Sequence, residues 1–123
     1  MGKVATAARI ILGAVFVLFG LNGFLHFLPM PPLKPAPGDL LGAFVRSGYM
    51  LQLVAGTQVV GGALVLTGLW VPFALALLAP VIVNILLVHL FLDPAGIGPG
   101  LLVAACELVL VSHHRRAFRG LFA

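Results

Sequence analysis

The long uncharged stretches of this sequence constrain its fold more than any single residue does. Residues 5–27 carry no charge after Arg9, and a helix of that length can cross the ~30 Å hydrocarbon core of a bilayer. Further apolar stretches follow at about residues 48–69, 72–92 and 100–112. They are too uniformly apolar for membrane-barrel strands, which alternate over ~10 residues. The reading is therefore all-α: a polytopic membrane protein with a bundle of four transmembrane helices, forming a single domain over residues 1–123. Composition closes the water-soluble route. The chain is 62% hydrophobic and 8% charged, against roughly 25% charged in a soluble domain, so it lacks material for a polar shell. The first stretch exceeds the ~7–15 residues of a signal-peptide core and ends without a clear small-x-small cleavage site, so it is expected to stay as the first helix.

The breaks between stretches carry the topology. Residues 29–37, Pro-Met-Pro-Pro-Leu-Lys-Pro-Ala-Pro, are expected to be non-helical, because proline rings clash and lack donors. Asp39, ahead of Leu40, Leu41, Phe44 and Val45, is expected to N-cap a short amphipathic helix on the membrane surface. An interfacial proline-rich loop and that helix then join the first two crossings. Leu69-Trp70-Val71-Pro72 reads as a tight turn, with Pro72 in the first turn of the next helix and Trp70 as an interface anchor. Pro80 predicts a kink in the third crossing, leaving the Ala76 carbonyl without its usual donor. Residues 93–100 read as a turn-rich loop, and residues 113–119 as a basic amphipathic continuation of the fourth helix.

Of the seven Lys and Arg residues, Lys3, Arg9, Arg115, Arg116 and Arg119 flank the two chain ends, while Lys34 and Arg46 lie between the first and second crossings. This bias places both termini in the cytoplasm. The net charge of +4 is then matched to anionic lipid at Arg115, Arg116 and Arg119, rather than to nucleic acid. The Gly-, Ala-, Val- and Pro-rich composition looks bacterial.

The polar residues within the crossings are Asn22, His26, Gln52, Gln58, Asn84, His89 and Glu107. On this topology six of the seven fall at mid-depth or in the outer half, and none clearly in the inner half. Glu107 is the most informative, because a carboxylate at the bilayer centre costs ~2.5–3.5 kcal/mol or more. It should face the bundle interior, either protonated or partnered, with Gln58 and Asn84 as donors at similar depth. A purely structural role, as a neutral acid holding helices together, is the competing reading. Asn22 and His26 are four apart and share a helix face. Gly13 and Gly20 share a nearly opposite face that invites close packing. Gln52 and Gln58 are ~120° apart around their helix, so only one can point at the bundle axis, and Gln58 is assigned there. The expected ligand-binding set is Asn22, His26, Gln58, Asn84, His89 and Glu107.

Other chemistry is thinly supported. His26 and His89 lie at similar depth, but no H-x-x-x-H pair accompanies them, so haem and metal rank below an organic ligand and no metal ligand is assigned. Cys106 is the single cysteine; it reads as a packing residue, and one thiol forms no intrachain disulfide. No nucleophile–base pair, phosphate loop or redox dithiol is present, so no catalytic residue is assigned.

Two motifs carry a family resemblance. Arg9-Ile-Ile-Leu-Gly-Ala-Val-Phe-Val-Leu-Phe-Gly-Leu-Asn22 and Gly61-Gly-Ala-Leu-Val-Leu-Thr-Gly68 resemble the DoxX family of four-helix membrane proteins, and the likeness runs over nearly the whole chain. It implies a bacterial inner-membrane protein. Relatives are associated with redox, as thiosulfate–quinone oxidoreductase subunits and complexes that handle thiol or oxidative stress, and eukaryotic relatives act as assembly chaperones for receptors. Many relatives carry Glu where Gln58 stands, and Lys where Asn22-Gly23 stands. Losing both partners together fits the large penalty for leaving one buried charge alone. The resemblance implies a redox-associated subunit binding a small quinone-like amphiphile, with a cofactor or partner redox protein supplying the chemistry. The alternative is a non-enzymatic assembly or scaffold protein whose polar core is structural and whose glycine faces meet a partner helix or a second copy. A permeation path ranks last, because the inner half lacks polar residues.

Overall fold

The computed structural model describes residues 2–25 and 35–121. Within them every regular element is helical and no strand occurs. In chain order these are α1 (Lys3–Leu25), α2 (Pro35–Arg46), α3 (Met50–Thr67), α4 (Val71–Phe91), a 3₁₀ turn at Pro94–Gly96, α5 (Ile97–His113), α6 (Arg115–Phe118) and a 3₁₀ turn at Arg119–Leu121. Three helices, α1, α3 and α4, are long and apolar enough to cross a membrane. The fourth apolar helix, α5, has 17 residues, about 25 Å at 1.5 Å per residue, a little under the ~30 Å hydrocarbon thickness.

The long helices pack in a ring: α1 on α3, α3 on α4, α4 on α5 and α5 back on α1. Consecutive members run antiparallel, so the molecule has two ends. The termini end holds the start of α1, the α3–α4 turn and α6. The α2 end holds α2 and the Pro94–Gly96 turn.

Glycine sets the spacing of α1, α3 and α4. A Cβ at Gly13 would lie 2.8 Å from the Leu66 Cβ and 2.9 Å from the Gly62 carbonyl oxygen, and one at Gly20 would lie 2.9 Å from the Ala55 carbonyl oxygen. These approaches are closer than Cβ contacts allow, so α1 and α3 touch backbone to backbone along the expected Gly13/Gly20 face. The Gly61-Gly62 pair serves both neighbours of α3. Gly62 meets Val17 and Gly13 of α1, whereas Gly61 meets the Leu78 side chain of α4. The tightest packing follows from this. Leu12, Val65, Leu75, Leu78 and Leu110 are wholly buried and Phe16 nearly so, drawn from all four helices.

The α3–α4 connection is a helix stop built from local chemistry. Gly68 takes φ +80°, which glycine adopts without a Cβ penalty. The Leu64 carbonyl accepts from both the Gly68 N–H (3.0 Å) and the Leu69 N–H (3.1 Å), giving the double closure of a left-handed helix cap. Trp70 also has positive φ, at 50°, and is exposed, with its ring edge-on to Phe73 at 6.1 Å. Pro72 sits in the first turn of α4, as expected. Pro80 lies inside α4, which continues as one helix from Val71 to Phe91.

Several boundaries differ from the sequence reading. The proline-rich stretch was expected to exclude helix as far as Pro37, yet α2 begins at Pro35 and contains Pro37. The first-turn N–H groups of a helix have no internal acceptor, so proline loses nothing there. Asp39 is therefore not the N-cap; it lies a turn inside α2 and is exposed. Residues 29–34 of that stretch fall outside the described residues. The expected loop 93–100 is also shorter, because α5 starts at Ile97 and takes Pro99 into its first turn. At the far end the helix does not run on through residue 119. It breaks at His114 before α6.

Candidate functional site

The polar residues do not converge on one point. Gln58 of α3 and His89 of α4 line a cavity of about 240 Å³. Every long helix contributes to its wall: Val15, Phe16 and Phe19 from α1, Gln58 from α3, Ile85 and His89 from α4, and Pro99, Gly100 and Val103 from α5. It lies toward the α2 end, beyond the wholly buried layer. Gly100 admits α4 closely there, since a Cβ on it would stand 3.3 Å from Ile85 and 3.7 Å from the His89 ring.

His89 is oriented by its own helix end. Its Nδ1 lies 3.3 Å from the Asp93 carbonyl oxygen. A carbonyl only accepts, so Nδ1 carries the proton in that contact and Nε2 of the neutral ring is left as an acceptor. Gln58 is half-buried and offers both a donor and an acceptor. Gln52, on the other side of α3, is exposed on an outer surface with Leu53 and Leu77. The choice between the two glutamines made from helical period therefore agrees with their placement.

Asn84 is exposed and points away from His89. It lines a second space of about 260 Å³, with Phe44 of α2, Met50, Val54 and Gln58 of α3, and Pro80, Val81 and Ile85 of α4. Gln58 and Ile85 border both spaces. Asn22 is half-buried on α1 and lines neither. His26 falls outside the described residues.

Glu107 is 7% exposed and sits in the core, and its Oε1 is buried with no hydrogen-bond partner among the described residues. The expected bonds from Gln58 and Asn84 are not formed. Glu107 lines neither space; it follows the cavity-lining Val103 by four residues on α5. Gly100, Val103, Glu107 and Leu110 are all buried on α5. Helical side chains lean toward their own N-terminus, so the Glu107 carboxyl leans toward the cavity from beneath Val103 without lining it.

Arg9 carries a role that the sequence reading gave only to membrane orientation. Its guanidinium lies directly against Gly68 at the C-terminal end of α3, where exposed carbonyls present partial negative charge to a cation. Its Nε is buried without a partner among the described residues. The four-residue spacing of Arg9 and Gly13 was the available signal, since it puts the cation on the face that meets α3. The apolar walls from Phe16, Phe19 and Ile85 were not separable in sequence from ordinary core residues.

The described residues hold no group of three or more His, Cys, Asp or Glu able to bind a metal ion. Cys106 is a free, buried thiol. The glycine faces of α1 and α3 are occupied by each other, so Gly13, Gly20 and Gly62 are not free to meet an outside helix. No protein family, curated protein or solved structure matches the chain.

Proposed function

We propose that this is an inner-membrane protein of four crossings with both termini cytoplasmic, acting as a redox-associated subunit that holds a quinone-like amphiphile between Gln58 and His89. The carrying observation is the cavity walled by all four long helices, with those two side chains as its polar groups. Gln58 can donate to a carbonyl or accept from a hydroxyl, whereas His89 Nε2 only accepts, so the carbonyl form of the ring is met by Gln58 and the hydroxyl form by both. Apolar walls with a few placed polar groups are the usual make-up of a small-ligand site. α5 acts as the fourth crossing, its short span extended by the Pro94–Gly96 turn and by the basic residues after it. Arg115, Arg116 and Arg119 then sit at the cytoplasmic head groups and favour anionic lipid. Electron transfer is supplied by a partner protein or bound cofactor, and the resemblance to the DoxX family fits such a subunit role.

The test is thermal unfolding in micelles with a benzoquinone carrying one isoprene unit. Saturation at 100 times Kd should stabilise the wild type by about 2.7 kcal/mol, and Gln58→Leu with His89→Leu should remove the shift. No shift in the wild type, or an equal shift in the double variant, overturns the assignment. The first of these results leaves the assembly or scaffold role as the standing reading.

A further inference from the structure

The two spaces beside Gln58 have a joint consequence. Each is smaller than the ~300 Å³ at which small-molecule sites begin, and together they exceed it. They abut at Gln58 and Ile85, which line both. The first is walled by residues of all four long helices. The second lies between α3 and α4 beneath Phe44 of α2, and there Pro80, Val83 and Asn84 are exposed on the face of α4 turned away from the core. α2 packs against α3, so it roofs this groove. The Pro80 nitrogen has no hydrogen to give Ala76, which loosens the α4 ladder at the groove's edge.

We propose that the two spaces form one binding tract, open sideways to lipid, for an amphiphile with a hydrogen-bonding ring and a flexible apolar chain. The ring lies between Gln58 and His89. The chain passes Ile85, runs under Phe44 and leaves into the bilayer between α3 and α4. Gln58 lines both spaces, with His89 as the second polar side chain of the first and the exposed Asn84 as that of the groove, whose other walls are Phe44, Met50, Val54, Pro80, Val81 and Ile85. Entry is from the membrane, and chain length becomes a determinant of affinity. The proposal rests on the ring site described above and adds the tail and the route.

The test is competition in nanodiscs, with concentrations expressed per lipid, between quinones of one ring type carrying one or eight isoprene units. The wild type should prefer the long chain at least tenfold. Asn84→Trp fills the groove from an exposed position and should weaken long-chain binding at least tenfold more than short-chain binding, which abolishes that preference. Phe44→Trp fills it from α2 and should do the same. Equal binding of both chain lengths by the wild type, or equal loss for both in the variants, overturns the tract and leaves the ring site standing. Failure of the wild type to bind the short-chain quinone overturns the ring site, and the tract with it.

Discussion

The two ends of this molecule are packed by different rules. Toward the termini end, Leu12, Val65, Leu75, Leu78 and Leu110 are wholly buried, and α1 meets α3 with glycine backbone in contact. Toward the α2 end α1 and α3 stay in close contact, through Gly20 against Ala55 and Val59, but two spaces open beside them, one walled by all four long helices and one between α3 and α4. One set of helices thus forms a tight layer at one end and leaves the proposed tract at the other. Gly13, Gly20 and Gly62 hold α1 on α3 along both regions, whereas Gly61 seats Leu78 of α4 only in the tight layer.

The largest test of this contrast is a pair of truncations. Leu75→Ala should cost about 2–5 kcal/mol in micelle unfolding, because its cavity would lie in a wholly buried layer. Ile85→Ala should cost less than half as much, since it only enlarges existing space. Equal losses would mean that the two ends are packed alike. Glycine substitution sharpens the same point. Gly13→Val should cost about 3 kcal/mol or more through overpacking against α3 backbone. Gly98→Ala, where an added Cβ meets nothing within 4 Å, should change stability by less than about 0.5 kcal/mol.

Glu107 lies between the two regimes. Glu107→Leu should raise stability by about 1–3 kcal/mol, the range for relieving a buried polar group without a partner. A loss of stability would instead show that the carboxyl is held by a partner, which moves Glu107 from the packed layer to the ligand tract. The smallest expected effect lies at the termini end. Burial, and then the neighbouring His113, hold the His114 imidazole below the usual histidine range. A base depressed on folding binds more protons when unfolded. Its contribution is therefore complete above the unfolded value of about 6.5 and is lost as pH falls through the folded value. Thermal stability in uncharged micelles should drop between pH 7 and pH 5, and His114→Phe should flatten that slope.

Much of this was legible in the sequence, and the reasons are local. Uncharged runs and turn residues set the helices, Pro72 marked the start of α4, and the seven-residue spacing of Gly13 and Gly20 marked the α1 face that meets α3. Helical period showed that Gln52 and Gln58 face different ways, and the packing of α3 shows that Gln58 is the one lining the interior spaces. Proline misled the reading at α2, because its penalty depends on position within a helix and no periodic signal fixed where α2 began. Similar depth along the stretches did not show which side chains meet: the hydrogen bonds expected at Glu107 from Gln58 and Asn84 are not formed. The offset between neighbouring helices is set where side chains interlock, as where Gly61 receives Leu78.

By itself, then, the sequence determined the solvent, the helices and the small residues that let them touch, because hydrophobic run length and steric size are properties of the residues in order. Tertiary structure decided that His89 and Gln58 share a cavity, that Asn84 faces a separate groove, that Arg9 rests on the end of α3, and that Glu107 is buried outside both spaces. Those relations depend on axial offset and rotation between helices, which emerge only when four apolar surfaces choose how to fit together.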